Sequence, residues 1–281
     1  MRTLRKIALI LVILGLILCA VAAIGSGFDL NLLINDARTL CTRDYEAADV
    51  QNVSLTLDVD SIVVKPSEDG SVHLSWYSRD PQKDTLNLSG GVLSLKTARP
   101  PLFSLNLRNY DAVLALPADY RGEMRLTTSS GSISVSDLNP TLLAMEATTG
   151  SIHLTNVNVA GRIDAETSTG SVSMTNVTAN EISSKSTTGS AKLSSVCAST
   201  LSAKATTGSI TLGAVDAQSL TLRTTTGSIK GTLAGSLVDY TIRSSVSTGS
   251  NSLPEELDGG ARTLNANATT GSIRITFSDA K

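Results

Sequence analysis

The segment Thr148-Thr149-Gly150-Ser151-Ile152 returns as Thr206-Thr207-Gly208-Ser209-Ile210 and again as Thr269-Thr270-Gly271-Ser272-Ile273. Close variants fill the positions between, so a Gly-Ser pair recurs at Gly131, Gly150, Gly170, Gly189, Gly208, Gly227, Gly249 and Gly271. The intervals are 19, 20, 19, 19, 19, 22 and 22 residues. Self-similarity at such a period marks a repeat architecture, in which each unit buries its apolar face against its neighbours.

Aligned on these glycines, the repeats form columns. Two residues after each glycine stand Ile133, Ile152, Val172, Ala191, Ile210, Ile229, Asn251 and Ile273. Four after stand Val135, Leu154, Met174, Leu193, Leu212, Gly231, Leu253 and Ile275; seven before stand Met124, Leu143, Ile163, Ile182, Leu201, Leu220, Ile242 and Leu264. Polar columns such as Ser134, His153, Ser173, Lys192, Thr211 and Lys230 lie between them. Alternation within a strand and identity between repeats is the requirement of a parallel β-solenoid, each strand pairing with its copy about 4.8 Å away. The glycines are read as corner residues, where a Cβ would obstruct the turn. The neighbouring Thr and Ser hydroxyls are read as partners for backbone groups at the bend. Adjacent threonines cannot both project from one flat strand, which argues against an ice-binding face.

Working outward, residues 51–121 show strand-like runs without a repeat: Val53–Val59, Ile62–Val64, Val72–Trp76, Leu86–Leu88, Val92–Leu95 and Val113–Leu116, punctuated by Gly and Pro turn signals. In residues 25–50, Leu30, Leu33, Ile34 and Ala37 have helical spacing. Arg2, Arg5 and Lys6 precede an uncharged apolar run, Ile7 to Ile24. That run is long enough to cross the hydrocarbon core, and the preceding cations keep the N-terminus cytoplasmic. A retained anchor is favoured over a signal peptide cleaved near Ala20-Val21-Ala22, because the run exceeds the usual length of a signal's apolar region. The chain thus divides into an anchor (1–24), a juxtamembrane segment (25–50), an irregular β region (51–121) and regular solenoid repeats (122–281).

Composition narrows the function. The formal net charge is -2, which offers no basic field for nucleic acid. Aromatic residues make up 3 %, so the core must be thin and regular. Cys19, Cys41 and Cys197 form neither a metal-binding spacing nor a disulfide framework. His153 between Ser134 and Ser173 lacks the orienting carboxylate a catalytic triad needs. Asp164 and Glu166 share an outward face but lack the carboxylate cluster and long loops of polysaccharide-cleaving β-helices. No catalytic, cofactor-binding or metal-ligating residue is assigned. One outward column, Glu146, Glu166, Lys185, Lys204, Arg223, Ser245 and Asn267, runs from acidic to basic. Lys185, Lys204 and Arg223 in it are the candidate docking strip for a glycan, a wall polymer or a protein. Trp76 and Tyr77 could form a small sugar-stacking platform, but a strand Trp in so aromatic-poor a chain is read as core.

From Leu126-Thr127-Thr128-Ser129-Ser130-Gly131-Ser132-Ile133 to Thr269-Thr270-Gly271-Ser272-Ile273, with Ala112-Val113-Leu114-Ala115-Leu116-Pro117 before it, the register resembles the bacterial putative-adhesin family of unknown function. The resemblance spans residues 50–281 and implies a β-solenoid outside a bacterial membrane, with no catalytic residues to carry over. The combined expectation is an all-β, right-handed, single-chain solenoid of 19–22 residues per coil behind one transmembrane helix. It is expected to be a single-pass membrane protein acting as a surface binding module. The alternatives are a cell-envelope component that acts by self-association or through protein partners, and a carbohydrate-active enzyme.

Overall fold

The computed structural model describes residues 38–98 and 110–278, with the helical residues Gly15, Ile17, Leu18, Ala20 and Val21. The rest of the expected membrane span at 7–24, and the helical spacing at Leu30–Ala37, lie outside the described residues. No helix of the described residues is long and apolar enough to cross a membrane.

Seven strands precede the repeats: β1 (Thr39–Tyr45), β2 (Asn52–Leu57), β3 (Ser61–Pro66), β4 (Val72–Ser78), β5 (Thr85–Ser89), β6 (Val92–Lys96) and β7 (Asp111–Leu116). The repeats supply β8 (Glu123–Ser130), β9 (Ile133–Ser136), β10 (Leu142–Thr149), β11 (Ile152–Thr169), β12 (Val172–Thr188), β13 (Ala191–Thr207), β14 (Ile210–Thr226), β15 (Ile229–Ala234), β16 (Tyr240–Thr248), β17 (Glu256–Leu257), β18 (Arg262–Thr270) and β19 (Ile273–Ser278). From β10 to β14 the strands pair in parallel, one repeat apart, as in Val172↔Ala191↔Ile210. The apolar columns become the interior: Ile133, Ile152, Val172, Ala191, Ile210, Ile229 and Ile273 have no exposed surface. Burying one such Ile or Leu stabilises by about 1.5–3 kcal/mol.

The region without a repeat belongs to the same stack. β2 pairs with β8 (Val53↔Met124) and with β6 (Asn52↔Val92), all parallel. β3 likewise pairs with β9 and β7. The coil β2–β3 therefore lies between β6–β7 and β8–β9, although β6–β7 comes later in the chain. The far end repeats the device. β18 pairs with β14 (Leu220↔Leu264) and with β16 (Ile242↔Leu264), while β19 pairs with β15 (Ile229↔Ile273). The coils stack in the order Gly227, Gly271, Gly249, not in chain order. The two long intervals provide three residues beyond the common 19, enough chain to step past one layer and return.

Antiparallel strands cover both outermost coils among the described residues. β4 pairs with β7, β1 with β4, β5 with β6 and β17 with β16. An open solenoid end is a row of unpaired amides and carbonyls, and such hairpins blunt it. The segment with Pro254, Glu255 and Glu256 leads into and contributes β17, and so is part of this cap.

Candidate functional site

The corner that carries the site is built from backbone geometry. A Cβ on Gly189 would lie 1.8 Å from the Gly170 carbonyl oxygen, and its φ of 145° disfavours any side chain. Successive corners are thus in direct backbone contact, starting from Asp60, whose carbonyl faces Gly131. Two hydroxyl ladders support them. The Ser151 amide donates to Ser132 Oγ at 3.2 Å and the Ser171 amide to Ser151 Oγ at 3.1 Å, and the pattern continues through Ser190, Ser209 and Ser228 to Ser272. Inside the corner, Thr167, Ser186 and Thr224 donate to the carbonyls of Gly150, Gly170 and Gly208 at 2.8–2.9 Å. Further along each coil, Asp137, Asn156, Asn176, Ser195 and Ala214 all adopt left-handed φ near 55°. Asn176 donates to Asn156 and Asn156 to Asp137.

Thr148 and Thr149 are both exposed, as are Thr206 and Thr207, because the chain turns at this point. The flat-strand argument therefore does not hold there. What projects is a double row of hydroxyls along the corner.

The column four residues before each glycine lies on the face that leads into this corner. Lys185, Lys204 and Arg223 are successive partners in register and are all exposed. Arg223 is followed by Asn267 and then Ser245, so the neighbour of Arg223 is Asn267 and not the Ser245 that chain order suggests. Lys185 Nζ lies 3.4 Å from Glu166 Oε2. Neither Lys204 nor Arg223 has a carboxylate partner among the described residues. Their long side chains give way to the shorter Asn267 and Ser245, leaving an open trough of about 470 Å³ bordered by Thr206, Thr225 and Thr269. Ser245 Oγ donates to Asn267 Oδ1 at 2.7 Å. The arrangement can bind a negative charge and hydrogen-bond neutral polar groups beside it.

Other candidate residues fall elsewhere. His153 is exposed and in register with Ser134 and Ser173, and no carboxylate bonds to it among the described residues. Asp164 is held by Arg162 at 2.6 Å and Glu166 by Lys185. Trp76 is buried and donates to Asp84 Oδ2 at 2.9 Å, whereas Tyr77 packs against Tyr110 at 4.7 Å, so the two do not form one platform. Cys41 and Cys197 are both free thiols. Sequence reasoning passed over His73, which bridges Asp44 at 2.7 Å and Asp69 at 2.9 Å and so fastens β1 to β4. Asp69 lies four residues from His73, but the pairing that brings Asp44 across is tertiary.

The stacked corners and their Thr-x-Gly-Ser register are the pattern of a known sequence family, whose model matches residues 50–273. The chain belongs to the Toastrack DUF4097 family. A search among curated proteins finds no match. The fold is similar to the crystal structure of a putative adhesin from Bacteroides fragilis, with a TM-score of 0.55 and 16% identity, over 86% of this chain and 99% of that one. A putative adhesin from Parabacteroides merdae gives a TM-score of 0.51 at 13% identity, over 86% and 97%. One from Parabacteroides distasonis gives 0.50 at 13% identity, over 86% and 99%. At these identities the likeness shows the fold alone.

Proposed function

We propose that this Toastrack protein is a non-enzymatic, adhesin-type binding module, held in the cell membrane by residues 7–24 with its N-terminus cytoplasmic and its rod outside. The observation that carries the reading is the exposed pair Lys204 and Arg223, adjacent in register and without carboxylate partners among the described residues, beside a hydroxyl-lined trough. A stack held by backbone contacts at every corner keeps such a strip straight and preorganised, which lowers the entropic cost of binding. The anchor rests on the basic and apolar pattern of residues 2–24. The similar solved structures are named putative adhesins, which agrees with a binding role. Asp164 and Glu166, each tied to a cation on an open face, fit a binding surface better than a hydrolytic site.

The test is a binding screen of the whole chain in detergent against bacterial envelopes, wall polymers and glycans, with light scattering in parallel. Saturable binding that weakens on Lys204→Glu with Arg223→Glu supports the proposal, and absence of any binding refutes it. Self-association alone would favour the assembly reading. That reading draws on Leu40, 53% exposed on edge strand β1.

A further inference from the structure

The docking strip is one half of a larger surface. Three residues after each glycine, on the other side of the corner, Lys192, Thr211, Lys230 and Arg274 follow one another in register. All three cations are exposed, and none has a carboxylate partner among the described residues. With Lys185, Lys204 and Arg223 on the near side, every one of the four consecutive layers at Gly189, Gly208, Gly227 and Gly271 carries a cation beside the corner. The double row of Thr hydroxyls runs between the two columns.

Around the corner the same layers carry no acid, Glu181 and Asp216 lying elsewhere in their coils. The windows 183–194, 202–213, 221–232 and 265–276, which cover the corner and both flanking faces, contain no Asp or Glu. Two layers earlier the pattern differs: Glu146 occupies one window, and Asp164 and Glu166 the next. The six cations therefore form a continuous basic ridge over four layers, about 14 Å along the rod at about 4.8 Å per layer. Lys185 at one end is shared with Glu166, and the other five have no carboxylate partner among the described residues; charges so placed raise the local concentration of an anion and steer its approach.

We infer that this ridge binds a linear acidic polysaccharide lying along the rod, its carboxylates against the two cation columns and its hydroxyls against the Thr rows and the Asn265 and Asn267 amides. This inference rests on the binding-module reading above and gives it a ligand class. A single-stranded nucleic acid would want aromatic side chains for stacking, and the four windows contain none. A protein partner would need aromatic or large apolar anchors, and the exposed positions of the ridge are hydroxyls, amides and cations. Sugar units, each offering several hydroxyls and one charge, match a surface where hydroxyls outnumber cations.

The experiment measures binding of the full chain to immobilised polygalacturonate, neutral dextran and poly(glycerol phosphate) across a salt series. The variants are Lys192→Gln/Lys230→Gln/Arg274→Gln on the far column and Lys204→Gln/Arg223→Gln on the near one. The expected result is binding to polygalacturonate that weakens with salt, falls about tenfold or more in each variant and is absent for dextran. Preference for poly(glycerol phosphate) overturns the carboxylated source. Equal binding of dextran, or binding unaffected by salt and by the far-column variant, overturns the polyanion ridge while leaving a binding module. Absence of binding to these polymers and to whole envelopes removes the binding module itself. Because the substituted side chains are exposed, the variants retain the wild-type melting temperature, which is measured alongside.

Discussion

Gly271 rests on Gly227: a Cβ on Gly271 would lie 1.8 Å from the Gly227 carbonyl oxygen. Gly249, which follows Gly227 in the chain, instead faces the Gly271 carbonyl at 1.7 Å by the same measure. The last coil of the chain is thus slotted between two coils already made. The outer coil β16 depends on β18 for its parallel pairing. Arg223 consequently faces Asn267, which shapes the trough.

The layer order is testable by crosslinking. Thr221 is the partner of Asn265, whereas Arg243 lies one layer further on. With the native cysteines replaced by serine, Thr221→Cys with Asn265→Cys should oxidise to a disulfide. Thr221→Cys with Arg243→Cys should not, since two layers exceed the Cα separation of about 4.4–6.8 Å that a disulfide spans. The reverse pattern, read by mass spectrometry, would restore chain-order stacking.

Interior corners should not accept a side chain. Gly208→Ala places a Cβ 2.0 Å from the Gly189 carbonyl oxygen at a φ of 150°. The expected cost is about 3 kcal/mol or more, since backbone strain and steric overlap add. Gly70 also has positive φ, but a Cβ there meets nothing within 4 Å. Gly70→Ala should cost only about 1–2 kcal/mol. Equal denaturant midpoints for the two would sink the corner argument.

Two inward hydroxyls in one coil make opposite predictions. Ser186 Oγ donates to the Gly170 carbonyl at 2.8 Å, so Ser186→Ala should destabilise by about 1–2 kcal/mol. Ser184 is fully buried between Ala165 and Ala203, and its hydroxyl has no hydrogen-bond partner among the described residues. Ser184→Ala should be neutral or stabilise by up to about 1 kcal/mol. Chemical denaturation of both variants decides it, and a loss on Ser184→Ala equal to that on Ser186→Ala would refute the assignment.

Ala214 occupies the left-handed corner column at φ 53°, where Asn156 and Asn176 sit in other coils. A left-handed alanine costs about 1–2 kcal/mol, which asparagine partly avoids through local hydrogen bonds. Ala214→Asn should raise stability by about 0.5–1 kcal/mol, and more when Ser195→Asn extends the amide ladder beside it. A lowered midpoint for Ala214→Asn would show that the corner tolerates alanine for another reason.

The fastening of β1 should weaken as pH rises. Hydrogen bonds that His73 donates to Asp44 and then to Asp69 hold its pKa above the ordinary imidazole value. Asp69 is held below its ordinary range, first by the Ser71 amide and then by His73. A raised histidine pKa contributes fully below the unfolded value and is lost as pH rises through the folded one. The lowered Asp69 contributes above its unfolded value and is lost as pH falls through the folded one. The bridge is therefore tightest in the mildly acidic range between them. Hydrogen exchange of β1 amides, corrected for intrinsic rates, should be slower near about pH 5.5 than near about pH 8.5. His73→Gln should abolish the difference, and its persistence in that variant would exclude the bridge as the cause.

Much of this was legible beforehand because a solenoid writes its fold as a period. The inward columns, the corner glycines, the Glu166–Lys185 pair and the strands between Val53 and Leu116 follow from alternation and register alone. The candidate strip was legible as a column, but its second half was not singled out, because Lys192, Lys230 and Arg274 are separated from it by the corner and interrupted by Thr211. The coils within 51–121 left no repeat to detect, since insertions of β4 and β5 separate strands that lie side by side.

The sequence by itself determined which side chains face inward, where the chain turns and what period the stack has. Each of these depends on alternation and on glycine, which act within one coil. Only the tertiary structure decided the order of the coils at both ends. Parallel pairing is nearly indifferent to which equivalent coil lies next to which, and a few extra residues of connecting chain allow a layer to be skipped. The placement of Asn267 beside Arg223, of β2–β3 inside β6–β7, and of Asp44 against His73 follows from that order and from the antiparallel strands that close the ends.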